Sequence, residues 1–199
     1  MMEKKSHVAI IGQGYVGLPL SMAAVQAGYQ VSGIDSDSHK VESLSSGHSS
    51  VEDVPDALVQ AAVRDLRYVP SDDFQQATGF STAIITVPTP LRGGAPDLSF
   101  VESAATSLAP LVTAGCTVVL ESTTYPGTTE ELVLPILERG SRLVAGTDFF
   151  LGYSPERIDP GNPEWTLLNT PKVVSGINAN SMEKVRSFYE SLGISAVPV

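Results

Sequence analysis

A glycine-punctuated turn near the start of the chain constrains the fold more than any other feature. The apolar run at residues 8–11 leads directly into Gly12-Gln13-Gly14-Tyr15-Val16-Gly17, and a helix-forming stretch follows. In a strand–turn–helix unit with this spacing, the first glycine allows a sharp turn and the second leaves room for a pyrophosphate. The third glycine lets the helix pack closely on the sheet. The turn therefore predicts a dinucleotide site at the N-terminus of that helix.

A single carboxylate predicts which dinucleotide binds. Residues 29–34 read as a second strand, and Asp35 follows it directly. A carboxylate at this place accepts hydrogen bonds from the ribose diol of adenosine and repels a 2′-phosphate. The sequence therefore favours NAD over NADP. A tight glycine turn without a nucleotide is the alternative, and the complete strand–turn–helix–strand unit makes it the weaker interpretation.

The composition bounds the class of protein. The chain has 199 residues, of which 42% are hydrophobic, so it can bury the core of one large domain or two small ones. A net charge of −10 argues against nucleic acid or an anionic membrane as a partner, because both bind basic surfaces. The lone Cys116 excludes an internal disulfide, and the run at 8–11 is too short for a signal peptide or a membrane span. We therefore expect a soluble, cytoplasmic protein.

Strand and helix patterns alternate along the whole chain, which is typical of a doubly wound parallel α/β sheet, the Rossmann-like fold. Further strands are predicted at residues 68–69 (an edge strand), 81–87, 116–120, 149–153, 172–175 and 194–199. Helices are predicted at 38–44, 55–66, 99–112, 128–138 and 181–191. A kink or an early end at Pro110 is the alternative for the third. The expected caps are a Ser99/Glu102 capping box, a similar Thr128/Glu131 pair, and Asn180. Residues 91–96 are expected to form a flexible loop.

Polar residues follow the predicted strands at the sheet edge where such folds bind ligands. Thr89, Ser122 and Thr123 are candidates to donate hydrogen bonds to the nicotinamide, its ribose or a substrate hydroxyl. Local capping explains Ser122 equally well and Thr123 less well. Glu156, just beyond an apolar strand, is a candidate general base, but a structural ion pair with Arg157 is an equally good interpretation. Glu121 has the same two interpretations, and the structural one is favoured.

The cysteine and the histidines are poorer candidates for chemistry. Cys116 lies at the amino end of its predicted strand without a nearby histidine, so a core position is favoured over a nucleophile. His7, His39 and His48 show no metal-ligand spacing, and no metal site is predicted.

Taken together, the motifs resemble the N-terminal domain of the UDP-glucose/GDP-mannose dehydrogenase family, the nucleotide-sugar 6-dehydrogenases, over essentially all 199 residues. The resemblance rests on the glycine turn with Leu18-Pro19, Asp35 with Lys40, Val87-Pro88-Thr89-Pro90, Glu121-Ser122-Thr123 and Ser154-Pro155-Glu156-Arg157. This family oxidises the C6 alcohol of a nucleotide sugar to a carboxylate with two NAD⁺. The resemblance implies an aldehyde stage, a cysteine thiohemiacetal and thioester, and then hydrolysis.

The resemblance also implies roles for individual residues. Thr123 would help to position the catalytic water. Glu156 would act as base or water-orienting group in thioester hydrolysis, and Glu156 and Arg157 would contact the substrate. The residues implied to bind NAD are Gly12, Gly14, Tyr15, Val16, Gly17, Asp35, Lys40, Val87, Pro88, Thr89, Ser122 and Thr123.

Within the family, residues 87–91, 96–99 and 154–161 look more like the enzymes acting on UDP-2-acetamido sugars, such as UDP-N-acetylglucosamine or UDP-N-acetylmannosamine. The UDP-glucose enzymes carry P-E-F-L-x-E, and Pro160 stands at the second glutamate position here. Family members continue into a central helix, through which a homodimer is implied, and a C-terminal half that supplies the nucleophilic cysteine. Residues 1–199 are therefore interpreted as an NAD-binding domain that is inactive alone. The alternatives are the NAD domain of another two-domain dehydrogenase and a stand-alone NAD-sensing module.

Overall fold

The computed structural model describes residues 6–157 and 164–199. The strands in this part of the chain are β1 His7–Ile11, β2 Gln30–Ile34, β3 Tyr68–Ser71, β4 Thr82–Ile85, β5 Leu91–Arg92, β6 Ala95–Pro96, β7 Thr117–Leu120, β8 Phe150–Tyr153, β9 Lys172–Gly176 and β10 Ala196–Pro198. The α-helices are α1 Gly17–Gln26, α2 Ser38–Ser45, α3 Asp56–Arg64, α4 Ser99–Leu108, α5 Leu134–Ser141 and α6 Ala179–Ser191. Short 3₁₀ turns span Phe74–Ala77 and Ala109–Leu111, and a π-helix at Thr129–Val133 leads into α5.

Eight of these strands form one central sheet in the order β3-β2-β1-β4-β7-β8-β9-β10. The first six are parallel, with the strand order of the dinucleotide-binding fold, which confirms the predicted fold class. The chain order reverses between β1 and β4, and a crevice opens there at the carboxyl ends of the strands.

The last two strands differ from the wholly parallel sheet that the sequence predicts. β9 pairs antiparallel with β8, with Gly152 opposite Gly176 and Tyr153 opposite Ser175, and β10 runs parallel to β9. A parallel connection needs a crossover, usually a helix, to return the chain to the starting edge. The described residues between β8 and β9 form no helix, so β9 starts at the edge where β8 ends.

Both faces of the sheet are buried. Alternate residues of β1 point to opposite sides: Val8 and Ile10 join one core, and Ala9 and Ile11 join the other. The first core packs α1, α3 and α6 against the sheet, and the second packs α4 and α5. A strand buried on both faces reads as a continuous apolar run, which explains the sequence of β1.

The predicted helix caps are wrong in detail. Asp97 Oδ1, not a Ser99 box, accepts the Ser99 N–H at 3.0 Å at the start of α4. Asn178 Oδ1, not Asn180, accepts the Ser181 N–H at 2.8 Å at the start of α6. The Thr128 hydroxyl donates to the Tyr125 carbonyl at 2.8 Å and does not cap a helix N-terminus. In α4 and α6 the capping side chain lies two residues before the predicted one.

The segment at 91–96, expected to be a flexible loop, is a small antiparallel hairpin of β5 and β6. Gly93 and Gly94 have φ values of +62° and +86°, as a tight two-residue hairpin turn requires. The glycine pair was the signal for this turn.

None of the helices in the described part of the chain combines the length and the hydropathy of a membrane-spanning helix.

Candidate cofactor and active site

The three glycines of the turn play different parts. Gly12 has φ +97°, and a Cβ on it would lie 2.8 Å from the Thr86 carbonyl oxygen. A Cβ on Gly17 would lie 1.7 Å from the Gly12 carbonyl oxygen. A Cβ on Gly14 would meet nothing within 4 Å. The fold itself thus requires Gly12 and Gly17, whereas Gly14 borders open space, as expected where a ligand approaches the backbone.

Backbone donors point into that space. Within residues 6–157 and 164–199, the N–H groups of Gly14, Tyr15 and Val16 have no hydrogen-bond acceptor, and they lie at the N-terminus of α1. The unpaired N–H groups and the helix dipole favour an anion at this place. The turn therefore fits the pyrophosphate of a dinucleotide.

A buried polar network that the sequence analysis did not identify holds the turn in shape. The Gln13 side chain is fully buried, and its Oε1 accepts from Ser21 Oγ at 2.9 Å and Tyr68 Oη at 2.8 Å. Gln13 Nε2 donates to the Ile10 carbonyl at 2.8 Å. Burial first, and then the nearby Asp35 charge, raise the pKa of Tyr68, so the phenol remains a donor. The available signal was a glutamine between the first two glycines of the turn.

Asp35 lies at the end of β2, as predicted, and is largely buried. Its Oδ2 accepts from the Gln13 N–H and from Lys40 Nζ, both at 2.8 Å, and its Oδ1 accepts from the Asp37 N–H at 3.0 Å. Burial alone would raise the pKa of Asp35, but the Lys40 ammonium and the two backbone donors outweigh it and hold the pKa below its usual value. Asp35 is therefore an ionised acceptor fixed beside the phosphate turn.

A narrow slot of about 90 Å³ adjoins Asp35. Ile34, Val87, Phe74 and Phe100 supply apolar and aromatic walls. A flat, apolar base fits such a slot, and Asp35 would then face the attached ribose. The sequence analysis missed Phe74 and Phe100, because neither belongs to a motif and both come from elements distant in sequence.

The main cleft, of about 490 Å³, lies where β1, β4, β7 and β8 end. The predicted site residues that line it are Gly14, Tyr15, Val16, Lys40, Val87, Pro88, Thr89, Ser122, Thr123 and Glu156, and the lining residues not predicted to bind ligand are Ser50, Val51, Thr86 and Glu121. Gly12 and Asp35 line the adjoining slot, and Gly17 lies under the turn. Arg157 is exposed and does not line the cleft. The structure thus brings together all the predicted residues except Arg157.

Two hydroxyl groups join the loops of the cleft. Thr89 Oγ1 donates to the Thr123 carbonyl at 2.6 Å, and Ser122 Oγ donates to the Val87 carbonyl at 2.7 Å. Each hydroxyl oxygen retains acceptor capacity, but its proton is committed to the protein. Thr123 itself is exposed at the cleft.

Glu156 pairs with a different cation from the one that the sequence suggested. Its Oε2 lies 3.0 Å from Lys172 Nζ, and its Oε1 accepts from the Arg157 backbone N–H at 2.6 Å. Within residues 6–157 and 164–199, the ion-pair partner of Glu156 is therefore Lys172, and Arg157 contributes its backbone. Lys172 Nζ also donates to Glu121 Oε1, and Tyr189 Oη donates to Glu121 Oε2 at 2.6 Å.

The electrostatics of this cluster follow from burial. Lys172 and Glu121 are almost wholly buried. Burial raises the pKa of Glu121 to about 7, against the opposing effect of Lys172. Burial would lower the pKa of Lys172, but Glu121 and Glu156 outweigh it, so the pKa is raised and the ammonium stays charged.

Cys116 has the core position that the sequence predicted. It is buried at the start of β7, away from the cleft, and burial raises the pKa of its thiol to about 11. His7 lies 2.8 Å from Ser32 Oγ, and His48 lies 3.1 Å from Asp56 on the surface. No described group of His, Cys, Asp and Glu residues is arranged to hold a metal ion.

Several known proteins are similar to this chain in both sequence and fold. UDP-N-acetyl-D-glucosamine 6-dehydrogenase of Salmonella typhi is 38% identical over 189 residues, which cover 93% of this chain and 43% of that protein. The structure of UDP-D-ManNAc dehydrogenase from Pyrococcus horikoshii superposes with a TM-score of 0.90 at 30% identity, covering 97% of this chain and 46% of that one. A ternary complex of GDP-mannose dehydrogenase from Pseudomonas aeruginosa gives a TM-score of 0.87 at 27% identity, covering 96% and 45%. The chain thus spans less than half the length of each.

The family model that matches is the NAD-binding domain of the UDP-glucose/GDP-mannose dehydrogenases, over residues 6–193. This match covers the glycine turn, Asp35 and every residue of the cleft. The chain therefore belongs to the UDP-glucose/GDP-mannose dehydrogenase family and corresponds to the NAD-binding domain of that family.

Proposed function

We propose that this chain is the cofactor-binding part of a nucleotide-sugar 6-dehydrogenase that oxidises the C6 alcohol of a UDP-2-acetamido sugar to a carboxylate with two NAD⁺. The observation that carries the proposal is the cleft in which the phosphate turn, Thr123 and Glu156 meet. The names of the relatives support a UDP-2-acetamido sugar as the substrate. We also propose that the whole protein is a cytoplasmic enzyme and that it forms the homodimer that the family resemblance implies.

The N-terminal half of the chain would hold the cofactor. The N–H groups of Gly14, Tyr15 and Val16 would bind the pyrophosphate, and Asp35 would accept from the adenosine ribose. These contacts would direct the other end of a dinucleotide toward the ends of β4 and β7, beside Thr89 and Thr123. Bound there, NAD⁺ would supply a hydride acceptor.

Glu156 would serve the hydrolytic step. It lines the cleft as a largely buried carboxylate, and its position is fixed by Lys172 and by the Arg157 N–H. A carboxylate at this place can orient a water or accept its proton, and Thr123 across the cleft can hold the same water. Arg157, which is exposed and does not line the cleft, is the weaker candidate for substrate contact.

The nucleophilic cysteine of the family mechanism is not provided by Cys116. That thiol is buried at the amino end of β7, and the cleft lies at the carboxyl end. We therefore propose that the nucleophile comes from a part of the protein outside these 199 residues, and that the chain alone does not turn over substrate.

Calorimetry with this chain tests the cofactor part of the proposal. We expect NAD to bind and NADP to bind at least about 10-fold more weakly, because Asp35 faces the ribose. Equal affinity for the two would contradict the assigned ribose site.

Two further measurements test the reaction part. In the methyl-labelled chain with NADH bound, we expect NMR cross-relaxation between the nicotinamide protons and the methyl groups of Thr123 and Val87. With NAD and UDP-N-acetylglucosamine, we expect no NADH absorbance from the chain alone. Sustained NADH formation would show that the nucleophile lies within residues 1–199 and would overturn that part of the proposal.

A further inference from the structure

Behind the cleft wall, one buried ammonium lies between two carboxylates. Lys172 Nζ contacts Glu121 Oε1 and lies 3.0 Å from Glu156 Oε2. The side chains of Lys172 and Glu121 are 2% and 0% exposed, and that of Glu156 is 11% exposed. Of the three, Glu156 is the one that reaches solvent, and it does so at the cleft.

Such a cluster is costly for a fold. A charge removed from water must be compensated by partners with good geometry, and replacement by apolar residues is often neutral or stabilising. The cluster has dedicated partners: Tyr189 from α6 donates to Glu121, and β9 is reversed so that its first residue lies beside the end of β8. Stability alone therefore gives no reason for charges at this place.

We propose that Lys172 is a positioning residue that fixes the Glu156 carboxylate at the wall of the cleft and keeps it ionised, with Glu121 as the buried group that holds the ammonium in place. This inference rests on the proposed function, in which Glu156 handles the water of the hydrolytic step.

The polar groups that face Glu156 support this assignment. Among the described residues they are Glu121 at the end of β7, Lys172 of β9 and Tyr189 of α6. Burial first, and then Glu121, raise the pKa of Tyr189, so its phenol stays neutral. Lys172 favours the ionised form of Glu156. Because the pKa of Glu121 is raised to about 7, Glu121 is largely protonated at the lower pH where a glutamate beside an ammonium titrates, and it adds little charge there. Removal of the Lys172 charge should therefore raise the titration of Glu156, whereas a variant that keeps a cation at this position should leave it near that of the parent chain.

The experiment is a carboxyl ¹³C NMR titration of the 199-residue chain labelled at glutamate Cδ, with the Glu156 signal assigned from E156Q. In K172M we expect Glu156 to titrate about 1 pH unit or more higher than in the parent chain, and in K172R, which keeps a cation, to titrate close to the parent chain. K184M is the matched control, since Lys184 lies on α6 over the Phe150 ring, outside the cluster, and should leave the titration unchanged.

Several outcomes would overturn the proposal: an unchanged Glu156 titration in K172M, a shift in K172R as large as that in K172M, or an equal shift in K184M. If K172M does not fold, the parent chain decides, because a Glu156 that titrates near or above pH 7 is not kept ionised by Lys172. The NMR experiment is made without cofactor, so failure of NAD to bind would contradict the proposed function without affecting this result.

Discussion

The contact between Asp35 and Lys40 makes a quantitative prediction about cofactor preference. D35N removes the charge that faces the ribose and retains an amide oxygen for a backbone N–H. It also releases Lys40 Nζ, which now lies 2.8 Å from Asp35 Oδ2. A released ammonium beside the ribose is a partner for the 2′-phosphate of NADP. D35N should therefore weaken NAD binding and strengthen NADP binding.

The magnitudes follow from the geometry. A hydrogen bond to a charged group contributes about 1 kcal/mol more than a neutral one, so two ribose hydroxyls lose about 2 kcal/mol, roughly 30-fold in Kd. The Lys40 side chain is 27% exposed, so its pairing with a phosphate contributes about 1–2 kcal/mol, roughly 5- to 30-fold. The ratio of the Kd values for NADP and NAD should therefore fall by at least about 100-fold.

Calorimetry of the parent chain, D35N and D35N/K40M measures both terms. In the double variant we expect the gain in NADP affinity to disappear, because the cation that carries it is gone. A circular dichroism spectrum and a urea midpoint for each variant check that the turn is intact. An unchanged NAD to NADP ratio in D35N would refute the ribose assignment. NADP binding that survives in the double variant would refute the role of Lys40.

Three other predictions follow from residues of the same fold. G14A should fold normally but lose NAD binding in calorimetry, because its new Cβ enters open space that the pyrophosphate would fill. G17A should instead lower the urea midpoint, because its Cβ collides with the Gly12 carbonyl. The reverse pattern would show that the roles of the two glycines are misassigned. Cys116, with a thiol pKa of about 11, should react slowly with Ellman's reagent at pH 8 and rapidly in urea, and a fast reaction in the folded chain would contradict its core position. The pKa of Asp35 is lower in the folded chain than its usual 3.8, so the ionised carboxylate stabilises the fold above that pH and this effect is lost as the pH falls. The urea midpoints of D35N and the parent chain should therefore converge below about pH 4. A constant difference between the two midpoints would contradict the lowered pKa of Asp35.

The local part of the site was predictable from the sequence. Gly12, Gly14 and Gly17 lie within six consecutive residues, and Asp35 follows on the adjacent strand, so one strand–turn–helix–strand unit brings them together. The same holds for the polar residues that directly follow β4, β7 and β8, since parallel strands place their carboxyl ends at one edge.

The non-local part was not predictable by the same reasoning. Lys172 starts a strand, and a wholly parallel sheet would place it at the opposite edge from Glu156. The reversal of β9 depends on how the segment after β8 folds, and no periodicity in the sequence encodes it. Phe74 and Phe100 were missed for a related reason: the slot they line exists only after two distant elements pack on the same sheet edge.

The reversed β9 also divides the cleft into two parts that depend on different stretches of chain. The phosphate turn is held by neighbours from residues 10 to 86, whereas the anchor of Glu156 requires β9 and α6 near the end of the sheet. A substitution in β9 or α6 can therefore displace the carboxylate while the adenosine half of the site stays formed, so cofactor binding and the placement of Glu156 can be altered independently.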